Sequence, residues 1–440
     1  MSDHRRRSRP SPVPSSRMSR FVGFGLLTAG VAGRTLFESA RSLSRGELPK
    51  PDELLLTPLN ILKISDELAR MRGAALKLGQ LISMDAGDVL PRELADVMAR
   101  LRADADHMPV SQLNTVMADN LGVEWIANFD KFDLRPIAAA SIGQVHKART
   151  TDGRDLAIKV QYPGVEQSID SDVDSVVSLF RLTGLMPDLA SLAPLINEAK
   201  TQLHEEADYA READYIRKFG TLVSDDKRFV VPEVQDEFST RKILAMTFVE
   251  GQSIEAVESA DQESKDEIFE RLIRLALNEL FRFGFVQTDP NFANYTYDPD
   301  SRRIGLLDFG AMREFSPDVV ERYRRFLRAG LEGDRKGLQQ SAKELGLYSN
   351  DTLPHHRNTI ERMIPFVFGA IRRDRFFRFG AESLMREIRS MGMELALDRS
   401  FTEVPPIDVI YLQRKAVGLF LLGRRLRASI PLRDILCEHT

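Results

Sequence analysis

The chain has 440 residues, of which 43% are hydrophobic and 29% are charged, and its formal net charge is −4. This composition is typical of a soluble globular protein, and the length suffices for one large or two ordinary domains. Because the net charge is slightly negative, the chain as a whole is not expected to bind nucleic acid. The single cysteine, Cys437, excludes a disulfide framework and a cysteine-based zinc site, and fits a reducing compartment. The seven histidines are scattered and no His-Glu-x-x-His motif occurs, so a histidine-based metal site is not expected.

The first 50 residues differ from the rest in composition. A basic stretch rich in proline and serine is predicted to be disordered, and the apolar stretch FVGFGLLTAGVAG follows it. That stretch is too short and too rich in glycine for a helix that spans a bilayer. Two interpretations stay open: a helix that lies on a membrane, with basic residues at anionic head groups, or a helix docked on the protein itself. The cationic run LQRKAVGLFLLGRRLR near the C-terminus also favours attachment to an anionic membrane surface.

Residues 51–130 are predicted to be helical. In PLNILKISDELARMRGAALKLGQLISM, apolar residues recur at spacings of three and four and form one stripe. Lys77 and Gln80 lie three residues apart, so they share a helix face beside that stripe. Taken alone, Lys77 has the pattern of a solvated lysine.

Two predicted strands follow. SIGQVHKART and RDLAIKVQY are joined at Asp152-Gly153, a strong signal of a β-hairpin. A protein kinase covers the ATP phosphates with a glycine-rich loop at this point, and its second strand carries the lysine of an Ala-Ile-Lys motif, which matches Lys159. Of the glycines only Gly143 remains. The residues that replace the others are Ala138, Ala139, Ala140 and Ser141.

The segment LINEAKTQLHEEADYAREADYIRKF is predicted to be one long helix. Its acidic residues are Glu205, Glu206, Asp208 and Glu212. They form a solvated acidic face unless one carboxylate points inward and holds the strand lysine, as in the Lys–Glu ion pair of a kinase. Glu206 and Glu212 are six residues apart, so they point in different directions and could serve two different lysines.

The stretch RKILAMTFVEG is predicted to be a buried strand that closes on a glycine turn. A kinase places the hinge between its lobes here, with adenine against the backbone of Phe248 and Val249. The remainder of the chain is predicted to be largely helical.

The most informative region is FVQTDPNFANYTYDPDSRRIGLLDFGAMREF. Asp289 and Asn294 are five residues apart, which matches the Asp-x-x-x-x-Asn of a kinase catalytic loop, and Asp308 begins an Asp-Phe-Gly motif after a predicted hairpin. Mg²⁺ prefers carboxylate and amide oxygens, which Asp308 and Asn294 offer. Asp289 is placed to accept a hydroxyl proton or to orient a nucleophile. The order of these motifs along the chain predicts a kinase-like fold.

These motifs resemble the UbiB family of atypical kinases, also called aarF-domain-containing kinases, over roughly residues 55 to 430. KLGQ is similar to the family's K-x-G-Q signature, AAASIGQV to its alanine-rich loop, and EADYAREA to its E-x-D motif with the ion-pair glutamate six residues later. MRGAALKLGQ and QTDPNFAN are most similar to the branch that supports coenzyme Q biosynthesis in mitochondria. Much of the wider family has histidine at Gln287 and His-Pro-Gly at residues 291–293.

The resemblance implies roles for individual residues. Lys159 would contact the phosphates of ATP and pair with Glu212, and Asp289 would be the catalytic aspartate. Asn294 and Asp308 would hold Mg²⁺, with Mn²⁺ as an alternative.

The N-terminal extension has its own implied role. Lys77 would lie across the active site and meet Glu206 or Asp208, with Gln80 beside it, so that the extension occupies the place where a peptide substrate would dock. Alanine resists the backbone conformations that glycine allows, so the alanine-rich loop should cradle the γ-phosphate less freely. Both features predict suppressed phosphorylation of other proteins.

The resulting expectation is an α+β, protein-kinase-like, two-lobed fold with a small β-rich N-lobe, a helical C-lobe and an N-terminal helical extension. The expected segments are 1–50 (tail and apolar segment), 51–130 (extension), 131–250 (N-lobe) and 251–440 (C-lobe). The expected location is peripheral, on the cytoplasmic side of a bacterial inner membrane or its mitochondrial equivalent. Expected partners are ATP, an anionic membrane surface and quinone-precursor lipids or their biosynthetic enzymes, and a second copy of the chain is a candidate.

Three classes of function remain open. The first is an atypical kinase or ATPase in ubiquinone biosynthesis. The second is a phosphotransferase that acts on a small molecule or lipid. The third is a nucleotide-binding pseudokinase scaffold, against which the intact Lys159, Asp289, Asn294 and Asp308 argue.

Overall fold

A computed structural model describes residues 107–140, 142–183, 193–289, 291–396, 398, 400 and 405–440. The basic tail, the apolar segment, residues 51–106 of the extension, which include Lys77 and Gln80, and Ser141 lie outside the described residues. The predictions on them stay predictions.

Helices and short strands alternate along the described chain. The helices are α1 (Val110–Leu121), α2 (Val165–Thr183), α3 (Ala193–Glu206), α4 (Tyr209–Leu222), α5 (Gln262–Asn278), α6 (Pro317–Glu332), α7 (Arg335–Glu344), α8 (Pro354–Arg373), α9 (Glu382–Ala396), α10 (Ile407–Leu426) and α11 (Leu432–Cys437). The strands are β1 (Phe129–Phe132), β2 (Ala138–Ala139), β3 (Gly143–Thr150), β4 (Asp155–Gln161), β5 (Phe229–Val230), β6 (Ile243–Thr247), β7 (Gln252–Ser253), β8 (Phe285–Gln287), β9 (Tyr295–Asp298), β10 (Arg303–Leu306), β11 (Met312–Glu314), β12 (Phe377–Arg378) and β13 (Ser429–Ile430).

The chain divides into two compact units. Among the described residues, the first unit contains the chain up to Asp214 together with Glu233–Phe248, and the second contains Tyr215–Pro232 and Val249–Thr440.

The first unit is built on an antiparallel sheet with strand order β1-β3-β4-β6, and β2 adds to β3. The predicted hairpin is present, since β3 pairs with β4 and Gly153 takes a φ of 90° in the turn. That left-handed conformation explains why glycine occupies the position. Every residue of β4 from Leu156 to Gln161 is buried, so this strand is central.

The predicted single helix over the acidic segment is wrong in one respect. The segment forms two helices, α3 and α4, which are separated at Ala207 and Asp208. The Oδ1 atom of Asp208 accepts hydrogen bonds from the backbone N–H groups of Ala210 and Arg211, at 3.1 and 3.3 Å. The aspartate side chain is a favourable acceptor for the free N–H groups at the start of a helix. Asp208 therefore begins α4 and does not continue α3.

The strand that was predicted to close on a glycine turn is β6. Its residues Ile243 to Met246 are buried, and Gly251 follows with a φ of 139°. This prediction is confirmed.

The second unit combines small sheets with a helical core. One sheet has the order β5-β10-β9-β7, and two-stranded sheets pair β8 with β11 and β12 with β13. The predicted hairpin before Asp308 is present as β9 and β10. Helix α5 packs against α10, and α6 packs against α7 and α8. The chain therefore has the mixed α+β composition that the sequence predicts.

None of the helices in the described ranges is both long enough and apolar enough to cross a membrane.

Candidate active site

In the first unit, a buried ion pair joins Lys159 on β4 to Glu212 on α4. The Nζ atom of Lys159 lies 2.9 Å from each carboxylate oxygen of Glu212. The two side chains are 10% and 2% exposed, so little water screens the charges. The Tyr209 ring lies 5.3 Å from the same Nζ atom. This is the pair that the family resemblance implies, and its rigid, two-pronged geometry fixes the direction of the ammonium group.

The junction between α3 and α4 sets the direction of Glu212. Asp208 caps α4, and its carbonyl accepts the Glu212 N–H at 3.2 Å. The side chain of Gln161, at the end of β4, donates to the Ala207 carbonyl at 2.8 Å. These bonds connect the strand of Lys159 to the start of the helix that carries Glu212.

The alanine-rich segment forms an edge strand and a tight turn. Ala138 and Ala139 pair with Val145 and Gln144 and are exposed, and the Ala140 N–H donates to the Gly143 carbonyl at 2.9 Å. The described alanines have none of the positive φ angles that glycine favours. A Cβ atom at Gly143 would lie 2.4 Å from the Val160 carbonyl oxygen, so only glycine fits there.

The remaining acidic residues of the predicted site take separate positions. Glu206 is buried at the end of α3, while Glu205 lies 3.2 Å from Arg211. Asp208 acts as the cap, and its other oxygen lies 3.9 Å from Arg241. A contact of Glu206 or Asp208 with Lys77 stays a prediction, because Lys77 is outside the described residues.

The predicted adenine-contacting residues lie where the chain passes from one unit to the next. Phe248 is the last residue of the first unit and Val249 begins the next segment of the second. The Phe248 N–H donates to the Asp155 carbonyl at 2.9 Å, and the Lys147 ammonium lies 3.8 Å from the Phe248 ring centre.

In the second unit, the loop with Asp289 and Asn294 is bonded to the Asp-Phe-Gly segment. The Leu307 N–H donates to the Asn294 carbonyl at 2.9 Å, and the backbone and hydroxyl of Thr288 both donate to the Ala311 carbonyl, at 3.0 and 2.8 Å. Asn294 and Asp308 are therefore held on two directly bonded segments.

The side chains of these segments offer oxygen ligands. Asn294 is buried, and its amide nitrogen has no hydrogen-bond partner among the described residues. One Asp308 oxygen accepts the Gly310 N–H at 3.1 Å. Phe309 is buried and packs on Phe219, with ring centres 5.4 Å apart. A carboxylate and an amide oxygen are a donor set that fits Mg²⁺.

A buried network behind this loop was not predicted from the sequence. The Nζ atom of Lys415 on α10 lies 2.9 Å from a Glu279 carboxylate oxygen and 3.3 Å from the Tyr295 hydroxyl. The same Glu279 oxygen accepts the backbone N–H of Gln287 at 3.3 Å. Gln287 precedes Asp289 and Tyr295 follows Asn294, so the network ties both ends of the loop.

The electrostatics of this network favour a charged Lys415 and a neutral Tyr295. Burial by itself would lower the pKa of Lys415, but attraction to the Glu279 carboxylate raises that pKa above the ordinary lysine value. Burial raises the pKa of Tyr295; the charge of Lys415 opposes this effect, and the negative charges of Glu279 and, more weakly, Asp289 add to it. The Tyr295 hydroxyl therefore stays protonated beside the loop. Glu279 lies in a π-helical turn, Glu279–Phe283, a feature that is frequent at functional sites.

A signal for this network was present in the sequence. Arg414 and Lys415 are two cations inside the apolar stretch of α10, and both are buried. Both residues belong to the cationic run that was predicted to attach to a membrane surface. That prediction is wrong for these two residues, because their side chains are buried. Arg424, Arg425 and Arg427 of that run are exposed.

Comparison with known proteins agrees with this geometry. The family model described as the ABC1 atypical kinase-like domain matches residues 100–342. The atypical kinase COQ8, mitochondrial, of Saccharomyces cerevisiae is 39% identical over 96% of this chain and 84% of its own. The atypical kinase COQ8B, mitochondrial, of Rattus norvegicus is 35% identical over 98% of this chain and 81% of its own.

A solved structure is also similar. Rv3197 of Mycobacterium tuberculosis, solved as a complex with erythromycin, superposes with a TM-score of 0.61 at 25% identity and covers 84% of this chain and 93% of its own. With the family match, this likeness confirms the predicted kinase-like fold.

Proposed function

Because the chain belongs to the ABC1 family of atypical kinases, also called UbiB, we propose that it binds Mg-ATP and turns it over in support of coenzyme Q biosynthesis. The observation that carries the proposal is the buried, two-pronged ion pair between Lys159 and Glu212. A lysine held in this way in a kinase-like fold is directed at the α- and β-phosphates of ATP. A solvated lysine would need no such partner.

The metal ligands in this proposal are Asn294 and Asp308. Their oxygens suit Mg²⁺, or Mn²⁺ in its place, and the divalent ion would neutralise charge on the phosphates. Asp289 orients the attacking nucleophile and accepts its proton. The Lys415–Glu279–Tyr295 network holds the Asp289 loop in place from behind.

Phosphorylation of other proteins is suppressed in this proposal. The described alanines are in strand or turn conformations without positive φ, which supports a loop that wraps the γ-phosphate less closely than a glycine-rich loop does. The extension of residues 51–130, with Lys77 and Gln80, would cover the substrate face and meet Glu206 or Asp208.

The proposed setting is the mitochondrial inner membrane or its bacterial equivalent, since the relatives named above are mitochondrial. Anionic lipids and phenolic quinone precursors, or the enzymes that make them, are the proposed partners. Arg424, Arg427 and the basic tail are the groups that would meet the lipid head groups, since Arg425 is paired with Glu255 and Glu258.

The test is ATP turnover by the full chain, with and without anionic liposomes and a quinone-like phenol. Phosphate release that these additions stimulate, without a phosphorylated acceptor, is the expected result. A labelled lipid or small-molecule product would instead identify a phosphotransferase, and binding without turnover would contradict the proposal.

Asp308→Asn tests the metal assignment. The loss of a full negative charge opposite the cation should remove most of the Mg²⁺-dependent thermal shift with ATP. Asp300→Asn, at an exposed carboxylate in the turn between β9 and β10, is the matched control and should keep the shift. An unchanged shift in Asp308→Asn would contradict the assignment.

A further inference from the structure

A second group of possible metal ligands lies in the second unit, away from the chain segments described above. His355 and His356 are in the first turn of α8, and Asp398 follows the end of α9. One potential ligand atom of each residue lies within 4.8 Å of those of the other two. Among the described residues this is the one group of histidines and carboxylates with such an arrangement.

The two imidazoles converge on a single oxygen. The Nε2 atoms of His355 and His356 each lie 2.9 Å from Oδ2 of Asp398, and their ring centres are 4.0 Å apart. Successive residues of an α-helix point about 100° apart, so neighbouring side chains do not meet by default. Here both Nε2 atoms nevertheless reach the same carboxylate oxygen.

The carboxylate is held in place by bonds to its other oxygen. Oδ1 of Asp398 accepts the Ser400 N–H at 2.9 Å and the Ser400 hydroxyl at 2.6 Å, which leaves Oδ2 directed at the imidazoles. Metal-ligating carboxylates are typically fixed by such outer hydrogen bonds.

The two helices are joined beside the cluster. The Thr359 hydroxyl on α8 lies 3.1 Å from the His355 carbonyl oxygen and 2.8 Å from a Glu394 carboxylate oxygen on α9. Arg362 on α8 donates to the other oxygen of Glu394 at 2.8 Å. The positions of the three candidate ligands are thus set by contacts that do not involve a metal.

We propose that His355, His356 and Asp398 bind one Zn²⁺ ion through two imidazole nitrogens and one carboxylate oxygen. Three protein ligands of this kind leave a fourth, open position for water, as in tetrahedral zinc sites of the open type. The side chain of His355 is 60% exposed and that of His356 is 3% exposed, so the ion would lie at the protein surface with an open path to it.

The ligand chemistry separates this site from the proposed ATP site. Imidazole suits zinc and other borderline transition metals, whereas Asn294 and Asp308 offer the oxygens that Mg²⁺ prefers. The positive end of the α8 dipole disfavours a cation at the first turn, and the negative charge of Asp398 offsets that effect. The bound ion would link the start of α8 to the end of α9.

The experiment is a Zn²⁺ titration of the full, tag-free chain against a chromophoric chelator, with excess Mg²⁺ present and no nucleotide. We expect one Zn²⁺ per chain. His355→Ala should weaken its binding by more than the roughly 10- to 100-fold that the loss of an outer-sphere partner costs. Because His355 is exposed, His355→Ala should unfold at the same temperature as wild type when no zinc is present. Added zinc should raise the unfolding temperature of wild type but not that of His355→Ala.

His204→Ala is the matched control, since His204 is an exposed histidine that lies 3.3 Å from Asp170 but has no second imidazole beside it. It should bind zinc like wild type. Co²⁺ in place of Zn²⁺ should give visible absorption bands in wild type that His355→Ala and Asp398→Asn lack. Zinc binding that His355→Ala leaves unchanged, or no bound zinc in wild type, would overturn the proposal and leave the cluster as a hydrogen-bonded contact between helices.

Discussion

Among single residues, the buried charged pairs matter most for the proposed function. Lys159 and Lys415 are both buried, and each has a buried glutamate within 2.9 Å. A buried pair of this kind contributes little net stability compared with apolar residues, but removal of one partner leaves an unpaired charge in the interior. The pairs are therefore better explained by the positions that they hold than by the stability that they add.

The first prediction follows for Lys159 and Glu212. Glu212→Leu should destabilise the first unit by about 3–5 kcal/mol, because Lys159 is left buried without its partner. The double variant Lys159→Met with Glu212→Leu should recover most of that loss but should not bind Mg-ATP. Chemical denaturation and an ATP thermal shift measure the two effects. Nucleotide binding by the double variant would show that the pair is purely structural.

The second prediction concerns His146, which is fully buried on β3. The Met108 N–H donates to Oε1 of Gln144 at 2.9 Å, so the Gln144 amide nitrogen faces Nε2 of His146 at 2.8 Å. Nδ1 lies 2.7 Å from the Asp133 carbonyl oxygen. Nε2 must then accept and Nδ1 must donate, which requires a neutral ring. Burial accordingly lowers the pKa of His146 from its ordinary value of 6.5.

The buried, neutral His146 ring should make the protein less stable at acidic pH. Below pH 6.5 the unfolded chain takes up a proton that the folded chain does not, so stability falls as the pH falls through this range. The effect amounts to about 1.4 kcal/mol for each unit between the two pKa values. The free energy of unfolding should fall less on acidification in His146→Gln than in wild type. Equal slopes in the two proteins would contradict the prediction.

At the scale of elements, the turn of the alanine-rich segment and the break between α3 and α4 shape the proposed ATP site. The turn is closed by the bond from Ala140 to Gly143, and the break is set by the Asp208 cap. Both are local features, and each determines the direction of a segment that the proposed chemistry needs.

The third prediction is for Ala140→Gly. Removal of the Cβ atom should let the backbone of the turn approach the phosphates, raise ATP affinity and produce autophosphorylation in cis on the N-terminal tail. The cost in stability should be about 1 kcal/mol or less. Intact-mass spectrometry after incubation with Mg-ATP measures the added phosphate.

Lys159→Ala in the same background is the control and should abolish the new activity. Tighter nucleotide binding without phosphate transfer would mean that the extension with Lys77 alone prevents the transfer. Unchanged binding would mean that the alanines do not tune the site.

At the scale of the whole molecule, the chain joins a kinase-like fold to a basic N-terminal tail and an exposed cluster of arginines at the end of α10. An anionic bilayer attracts such groups by about 1 kcal/mol per basic residue near the surface. The free energy of attachment would then be the sum of many weak contacts, and attachment would not need a membrane-spanning segment.

The fourth prediction is that deletion of residues 1–40 weakens flotation with anionic liposomes and leaves Mg-ATP binding intact. The basic and apolar residues that would contact the bilayer are removed, whereas the proposed ATP-site residues all remain. Liposome flotation and an ATP thermal shift measure the two properties. A truncated chain that floats as well as the full chain would show that this segment is not the anchor.

The family, the kinase-like fold and the order of the motifs could be predicted from the sequence alone. These depend on residues that are close in the chain: the hairpin at Asp152-Gly153, the spacing of Asp289 and Asn294, and the hairpin before Asp308. Turn chemistry and the two-residue period of strands act over a few residues, so they can be read directly from the chain.

Most contacts between distant side chains became visible only in the folded chain. The structure places Glu212 against Lys159, as the family resemblance implies, and it shows that Asp208 starts a new helix where an unbroken one was predicted. It placed Lys415 against Glu279, 136 residues away, and Asp398 against His355, 43 residues away. Such pairs depend on how whole helices pack, and the burial that makes a charge seek a partner exists only once the chain has folded.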